Sequence, residues 1–251
     1  MTSILEIYKN ALLADSTYAL EDDGIANVTG PALERLLGKR MTPTLAKYIG
    51  DNFTVVTHVE TNDVGSSGFD ATVWRENATG KVSVSMQGTA GLADFLVDAD
   101  LALTGNARAQ VTDMINWWLR ISTPVGQQAM QITAFGSLYV LGTPVTGLGL
   151  VTSSDLAAGI EVNGHSLGGY LASAFTRLFG RQANVQHTST FNSAGFAPGS
   201  EAVFTQLQNL IGPALGLARF PNGSEQSSCF ALSRWESEPV PERDRSSFAV
   251  A

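Results

Sequence analysis

The chain has one cysteine, Cys229, so no internal disulfide can form and cysteine usage leaves the redox compartment open. Histidine is almost as scarce. His58, His165 and His187 are the only three, and their spacing is not that of metal ligands. The glycine-rich stretches do not replace a metal with a nucleotide: Gly30 to Lys39 misses the phosphate-loop spacing, and Gly147-Leu148-Gly149 lacks a third glycine and an acidic follow-up. No metal or organic cofactor is therefore expected. Basic residues are also few, 15 Lys and Arg against 23 Asp and Glu, and the resulting net charge of −8 without a basic stripe argues against nucleic acid as a partner. No segment reaches the roughly 18 uninterrupted apolar residues of a membrane span. Residues 1–9 lack the basic start and long apolar stretch of a secretory signal. Cytoplasmic residence is the default expectation, with export by a signal-independent route left open.

What the chain does have is enough apolar sequence for one sizeable core: 44% of 251 residues are apolar and 15% charged. Residues 4–20 carry Ile4, Leu5, Ile7, Tyr8, Ala11, Leu12 and Leu13 in the pattern of an amphipathic helix, and 31–38, with Pro31 at an early position, reads as a second. Phe53 to Val59, Ala71 to Glu76 and Lys81 to Gln87 read as strands, the latter two joined by a turn at Asn77-Ala78-Thr79-Gly80. Along the third, Val82, Val84 and Met86 alternate with Ser83, Ser85 and Gln87, which predicts a strand with unlike faces. Residues 107–121 are helical in pattern, and the spacing extends a helix over Gln127 to Ala134 beyond a break at Pro124. Trp117 and Trp118 are assigned to core packing in preference to lipid contact. The apolar, glycine-rich run from Phe135 to Thr152 fits either a flap over an acyl site or a hairpin on the sheet. Strands alternating with helices imply an α/β fold, a parallel or mixed sheet with helices on its faces, over residues 1–235. The charged, proline-containing residues 236–251 read as a solvated tail.

Chemistry concentrates in Gly164-His165-Ser166-Leu167-Gly168-Gly169. Ile160 to Asn163 can form a short strand before it, and Tyr170 to Phe179 places Leu171, Phe175, Leu178 and Phe179 at helical spacing after it, with Gly180 as a stop. A serine on such a strand-to-helix turn sits on a strained backbone with neighbours too close for side chains, which favours glycine at positions 164 and 168. Gly169 lets the following helix approach the sheet. Ser166 is accordingly the candidate nucleophile, and Leu167, the next residue, is placed to offer its backbone N–H to an oxyanion.

With Ser85-Met86-Gln87-Gly88-Thr89 at a strand end, Asp94 and Asp98 shortly after, and Ser189 to Phe196 downstream, the turn resembles the class 3 lipase group of the α/β-hydrolases over roughly residues 50–200. Gln87 stands where that group usually has arginine. The resemblance implies an α/β-hydrolase-like, mostly parallel sheet with an incomplete C-terminal part. It also implies an acyl-enzyme at Ser166 and Thr89 N–H as second oxyanion donor, with Asp94 supporting that loop. The implied substrate is a small acyl ester or lipid, and peripheral contact with a lipid interface and homo-oligomerisation are both compatible with it.

In this fold the order is serine, acid, histidine. His58 precedes Ser166, His165 is inside the turn, and His187 lies near the start of a strand, about four residues of ~3.3 Å each from the rim where the site would form. Asp244, the only aspartate after Ser166, falls in the charged tail. A general base is therefore missing. A truncated or altered-end chain is the favoured explanation, ahead of a base from a second subunit or a hydrolase fold without full catalysis. Weak ester hydrolysis is the expectation, with a non-catalytic acyl- or partner-binding module as the alternative.

Overall fold

The structure is a computed structural model that describes residues 3–21, 24–61, 67–88, 106–136, 138–193, 195–196 and 199–215. Three helices lead into the sheet: α1 (Ile4–Thr17), α2 (Gly30–Leu37) and α3 (Pro43–Asn52). Ser3 starts α1 with a capping box, its hydroxyl accepting from Glu6 N–H while the Glu6 carboxylate accepts from Ser3 N–H. α3 was not foreseen from sequence, although Pro43 at its first position is a helix-start signal.

Five strands follow in one sheet: β1 (Phe53–Glu60), β2 (Asp70–Glu76), β3 (Val82–Met86) and, after an excursion, the strands at Ile160–His165 and Val185–Phe191. The excursion begins with α4 (Asn106–Ser122). It continues through a ribbon of β4 (Gln128–Ala129), β5 (Ile132–Phe135), β6 (Leu138–Leu141) and β7 (Val145–Thr146), in which β4 pairs with β7 and β5 with β6, and ends in α5 (Ser153–Ala158). The two later strands are β8 and β9; α6 (Leu167–Phe179) joins them, and α7 (Ser200–Ile211) follows. The sheet order is β1-β2-β3-β8-β9, with β2 antiparallel to both neighbours and β3, β8 and β9 mutually parallel. The molecule is thus α/β with a mixed sheet. The segment Met1–Phe220 forms one unit by its internal contacts, and the expected boundary at 235/236 lies outside the described residues.

Strand alternation explains the two cores. Ala71, Val73, Val82, Val84, Met86, Ile160 and Val162 face α4, α6 and α7. There Trp118 is fully buried and edge-on to Phe175, with ring centroids 4.7 Å apart, while Trp117 packs partly buried at the margin. On the other face Phe53, Val55 and Trp74 pack with Leu12 and Leu13 of α1, Leu33 and Leu37 of α2, and Ile49 of α3. The polar positions of β3 and β8 also turn to this second face and are buried under α1 rather than solvated. Asn10 of α1 meets them, donating to Glu161 at 3.5 Å and accepting from Asn163 Nδ2 at 3.1 Å.

Two expectations need correction. Residues 127–134 are not helical: they lie in β4 and β5, because the run after Pro124 pairs across the ribbon with 139–146. The ribbon is a hairpin, yet it belongs to no part of the five-stranded sheet; Ile132 and Tyr139 bury its inner face, and Phe135 and Leu138 stand exposed at its end. The second correction concerns α1, whose apolar residues Ile4, Leu5, Ile7 and Tyr8 are exposed, while its buried positions are Asn10, Leu12, Leu13, Ala14, Ser16 and Thr17. The polar strand face beneath it selects a partly polar helix face. Among the described residues no helix is long and apolar enough to cross a membrane.

A part-buried ion pair ties α5 to the sheet. Asp155 takes both Arg75 guanidinium nitrogens, at 2.5 and 3.1 Å, and closes the α5 capping box with Thr152. Burial by itself would raise the Asp155 carboxyl; Arg75 and the Thr152 donors outweigh it and hold the pKa at about 2, below the ordinary 3.8. The depressed value means this stabilisation is present above about pH 4 and is lost as pH falls towards about 2. Asp155→Asn is expected to lower unfolding free energy in urea by about 2 kcal/mol at pH 7 and to have little effect near pH 2. An equal effect at both pH values contradicts this assignment.

Candidate active site

The turn between β8 and α6 holds Ser166 at φ 58° and ψ −126°. A residue with a Cβ pays on the order of 1–3 kcal/mol to adopt such a conformation, so the surroundings must enforce it. They do so by contact. A Cβ added to Gly164 would lie 2.2 Å from Gly168 O, one on Gly168 would lie 2.1 Å from Met86 O, and one on Gly169 would lie 2.6 Å from Ser193 Cβ. These glycines let the turn close against the end of β3 and let α6 start against the sheet. Ser166 N–H donates to Phe191 O of β9 at 2.9 Å, which fixes the turn from the third side.

Ser166 is 7% exposed, and among the described residues its hydroxyl has no hydrogen-bond partner. It is also the N-cap residue of α6 without capping through its side chain, and among the described residues no acceptor meets Leu167 N–H. An uncapped N–H at the positive end of a 13-residue helix, one residue beyond a serine, can donate to developing negative charge. Opposite it lies Gly88, where a Cβ would sit 3.1 Å from Leu167 N and 2.8 Å from His165 O. The backbone leaving β3 therefore touches the turn immediately before Thr89. Thr89, Asp94 and Asp98 themselves lie outside the described residues, as do Asp244 and Cys229.

All three histidines are described, and none is placed as a base for Ser166. His58 on β1 is buried with Nδ1 2.8 Å from Thr72 Oγ1. His187 on β9 pairs in register with Glu161 of β8, its Nδ1 3.1 Å from the carboxylate. Glu161 is five residues before Ser166 on the same strand, so roughly 16 Å of strand separates that pair from the turn. Glu161 also takes Lys81 Nζ at 2.6 Å, making a charged cluster at the opposite end of the sheet from the turn. His165 is adjacent to Ser166 and exposed, with Nδ1 3.1 Å from the Tyr18 hydroxyl and its ring edge-on to Tyr18.

Tyr18, the C-cap residue of α1, is the member of the site that sequence reasoning missed. Its hydroxyl accepts from Gly88 N–H at 2.9 Å, and the Arg40 guanidinium stacks over its ring 4.8 Å from the centroid. Burial raises the phenol pKa, opposed by the Gly88 N–H, so the group stays neutral at physiological pH. No local motif marks Tyr18, because its partners are 70 and 147 positions away.

Comparison of the chain with protein-family models, with curated proteins and with solved structures finds no match.

Proposed function

We propose that the protein is a serine-dependent carboxylic ester hydrolase of α/β-hydrolase-like fold, with Ser166 forming an acyl-enzyme. The observation that carries this reading is the strained Ser166 backbone beside a Leu167 N–H that no acceptor meets among the described residues, held there by three glycines that admit no Cβ. Strain of this kind is kept where a site uses it, since glycine in the same turn would relieve it by more than its added chain freedom costs.

Ser166 Oγ attacks the acyl carbonyl carbon, and the carbonyl oxygen becomes an oxyanion facing Leu167 N–H, with Thr89 N–H as the proposed second donor. The alcohol leaves with a proton, and water then releases the acid. Because no histidine of this chain reaches Ser166, its proton passes to solvent base, and turnover is slow. Donors and binding alone sustain roughly 10³–10⁴ over water in hydrolases stripped of their triad. The substrates proposed are small acyl esters or lipids with an apolar acyl chain. A net charge of −8 disfavours anionic head groups.

The same lack of a base favours a second reading, a hydrolase-like fold that binds an acyl group or a partner without turning it over. Turnover of p-nitrophenyl esters of graded acyl length separates the two. The hydrolase reading expects release of nitrophenolate above the solution rate, rising steadily from pH 6 to 9 without a plateau in the histidine range and abolished by Ser166→Ala. Saturable ester binding with no turnover supports the second reading and overturns the first.

A further inference from the structure

One hydroxyl bridges the backbone leaving β3 and the nucleophile turn, although its residue belongs to neither. Tyr18 sits at the end of α1, a helix that lies across the polar face of the sheet, and its ring is held by the Arg40 guanidinium above it and the His165 ring at its edge. Arg40 is fixed in turn by Asp15, whose carboxylate accepts from Arg40 Nε at 3.0 Å and from an η nitrogen at 2.9 Å. The ring therefore arrives at the site on a braced support.

The hydroxyl then makes three contacts. It accepts from Gly88 N–H at 2.9 Å, lies 3.1 Å from His165 Nδ1, and can donate to His165 O at 3.5 Å. Gly88 is the last described residue of the chain leaving β3, and His165 is the residue before the nucleophile. Room between them is already minimal, since a Cβ on Gly88 would meet His165 O at 2.8 Å, the Tyr18 hydroxyl at 3.0 Å and Leu167 N at 3.1 Å. Gly88 N–H is a buried-side donor that would otherwise need another acceptor, and the tyrosine oxygen supplies one while its own hydrogen goes to His165. Each contact fixes a direction as well as a distance.

We infer that Tyr18 is a positioning residue of the active site, whose hydroxyl locks the backbone leaving β3 at Gly88 to the nucleophile turn at His165 and so fixes the turn that presents Ser166 and Leu167 N–H. This rests on the reading of Ser166 as nucleophile. Tyr18 touches no reacting atom and acts through Gly88 and His165. A displacement of about 1 Å in the nucleophile or its neighbouring donor costs on the order of 10²-fold in rate, while leaving ground-state binding of the ester nearly unchanged.

The test compares the full-length protein with Tyr18→Phe, which keeps the ring over its neighbours and deletes only the hydroxyl, and with Tyr8→Phe as a control on the exposed part of the same helix. The readouts are the second-order rate of fluorophosphonate capture, kcat and KM for a p-nitrophenyl ester, the thermal midpoint, and amide exchange of Gly88. Tyr18→Phe is expected to slow capture and kcat by about 10- to 100-fold with KM within twofold, and to speed exchange at Gly88. Tyr8→Phe is expected to change none of these. If wild-type protein is captured and Tyr18→Phe is captured at the same rate, the inference is overturned and the nucleophile stands. A rate loss in proportion to a fallen thermal midpoint, with KM rising alongside, shows a merely structural role and also overturns it. Folded wild-type protein that is never captured overturns the reading of Ser166, and this inference with it.

Discussion

Gly168→Ala is expected to cost at least about 3 kcal/mol of unfolding free energy in urea and to remove reaction at Ser166. The added methyl would fall 2.1 Å from Met86 O, 2.6 Å from Met86 C and 2.7 Å from Gln87 C. All three are main-chain atoms, so no side chain can rotate away. The strand end must move, and Met86 is paired in register with Gly164, the first glycine of the same turn. Alanine's better helix propensity returns only about 1 kcal/mol, too little to offset a displaced strand. Gly80→Ala provides the scale: its φ is +73° and nothing lies within 4 Å, so it is expected to cost about 1 kcal/mol. Equal losses at the two positions would show that close approach is not what glycine provides at 168.

Ser166→Gly is expected to abolish ester turnover while raising stability by about 1 kcal/mol. Glycine adopts φ 58°, ψ −126° without the clash that a Cβ brings, which releases on the order of 1–3 kcal/mol, and its greater freedom in the unfolded chain takes back about 0.5–1 kcal/mol. Ser166→Ala keeps the Cβ and therefore the strain, so it is expected to lose turnover with stability within about 0.5 kcal/mol of wild type. The pair separates two roles of one residue. A protein that becomes inert and more stable carries its strain for chemistry; a Ser166→Gly variant that is destabilised shows that the hydroxyl holds the turn together instead.

The turn was legible because close approach leaves glycine at a fixed local spacing, whether the atom approached is in the turn, as for Gly164, or on a distant strand, as for Gly168. Gly164, Gly168 and Gly169 each face an atom that leaves no room for a side chain, and such a demand appears directly in sequence. Strand β3 was legible for a similar reason, through the alternation of Val82, Val84 and Met86 with serines. That the serine side is buried under α1 was not legible, because it depends on Asn10 meeting Glu161 and Asn163 some 150 positions away. The same long range hid Tyr18. Residues 127–134 read as a helix continued past Pro124, but Gly126 and Gly142 bracket a ribbon that bonds across itself, Gly142 N–H donating to Gln131 O at 2.8 Å. The α5 start is written in Thr152-Ser153-Ser154-Asp155, a capping-box pattern at the end of the apolar run.

The histidines show what a count can decide before any geometry. With three in the chain, each position can be weighed alone, and the strand register then places His187 opposite Glu161 and far from the turn. The His187–Glu161 pair, with Lys81 against the same carboxylate, is a polar brace at the foot of β8 and β9.

The central claim is that Ser166 is presented as a nucleophile, and covalent capture tests it most directly. Folded wild-type protein treated with a fluorophosphonate at pH 8 and digested for mass spectrometry is predicted to carry one adduct, on the peptide containing Ser166, and Ser166→Ala is predicted to carry none. No adduct on the folded protein, or an adduct on a different serine that persists in Ser166→Ala, would contradict the account.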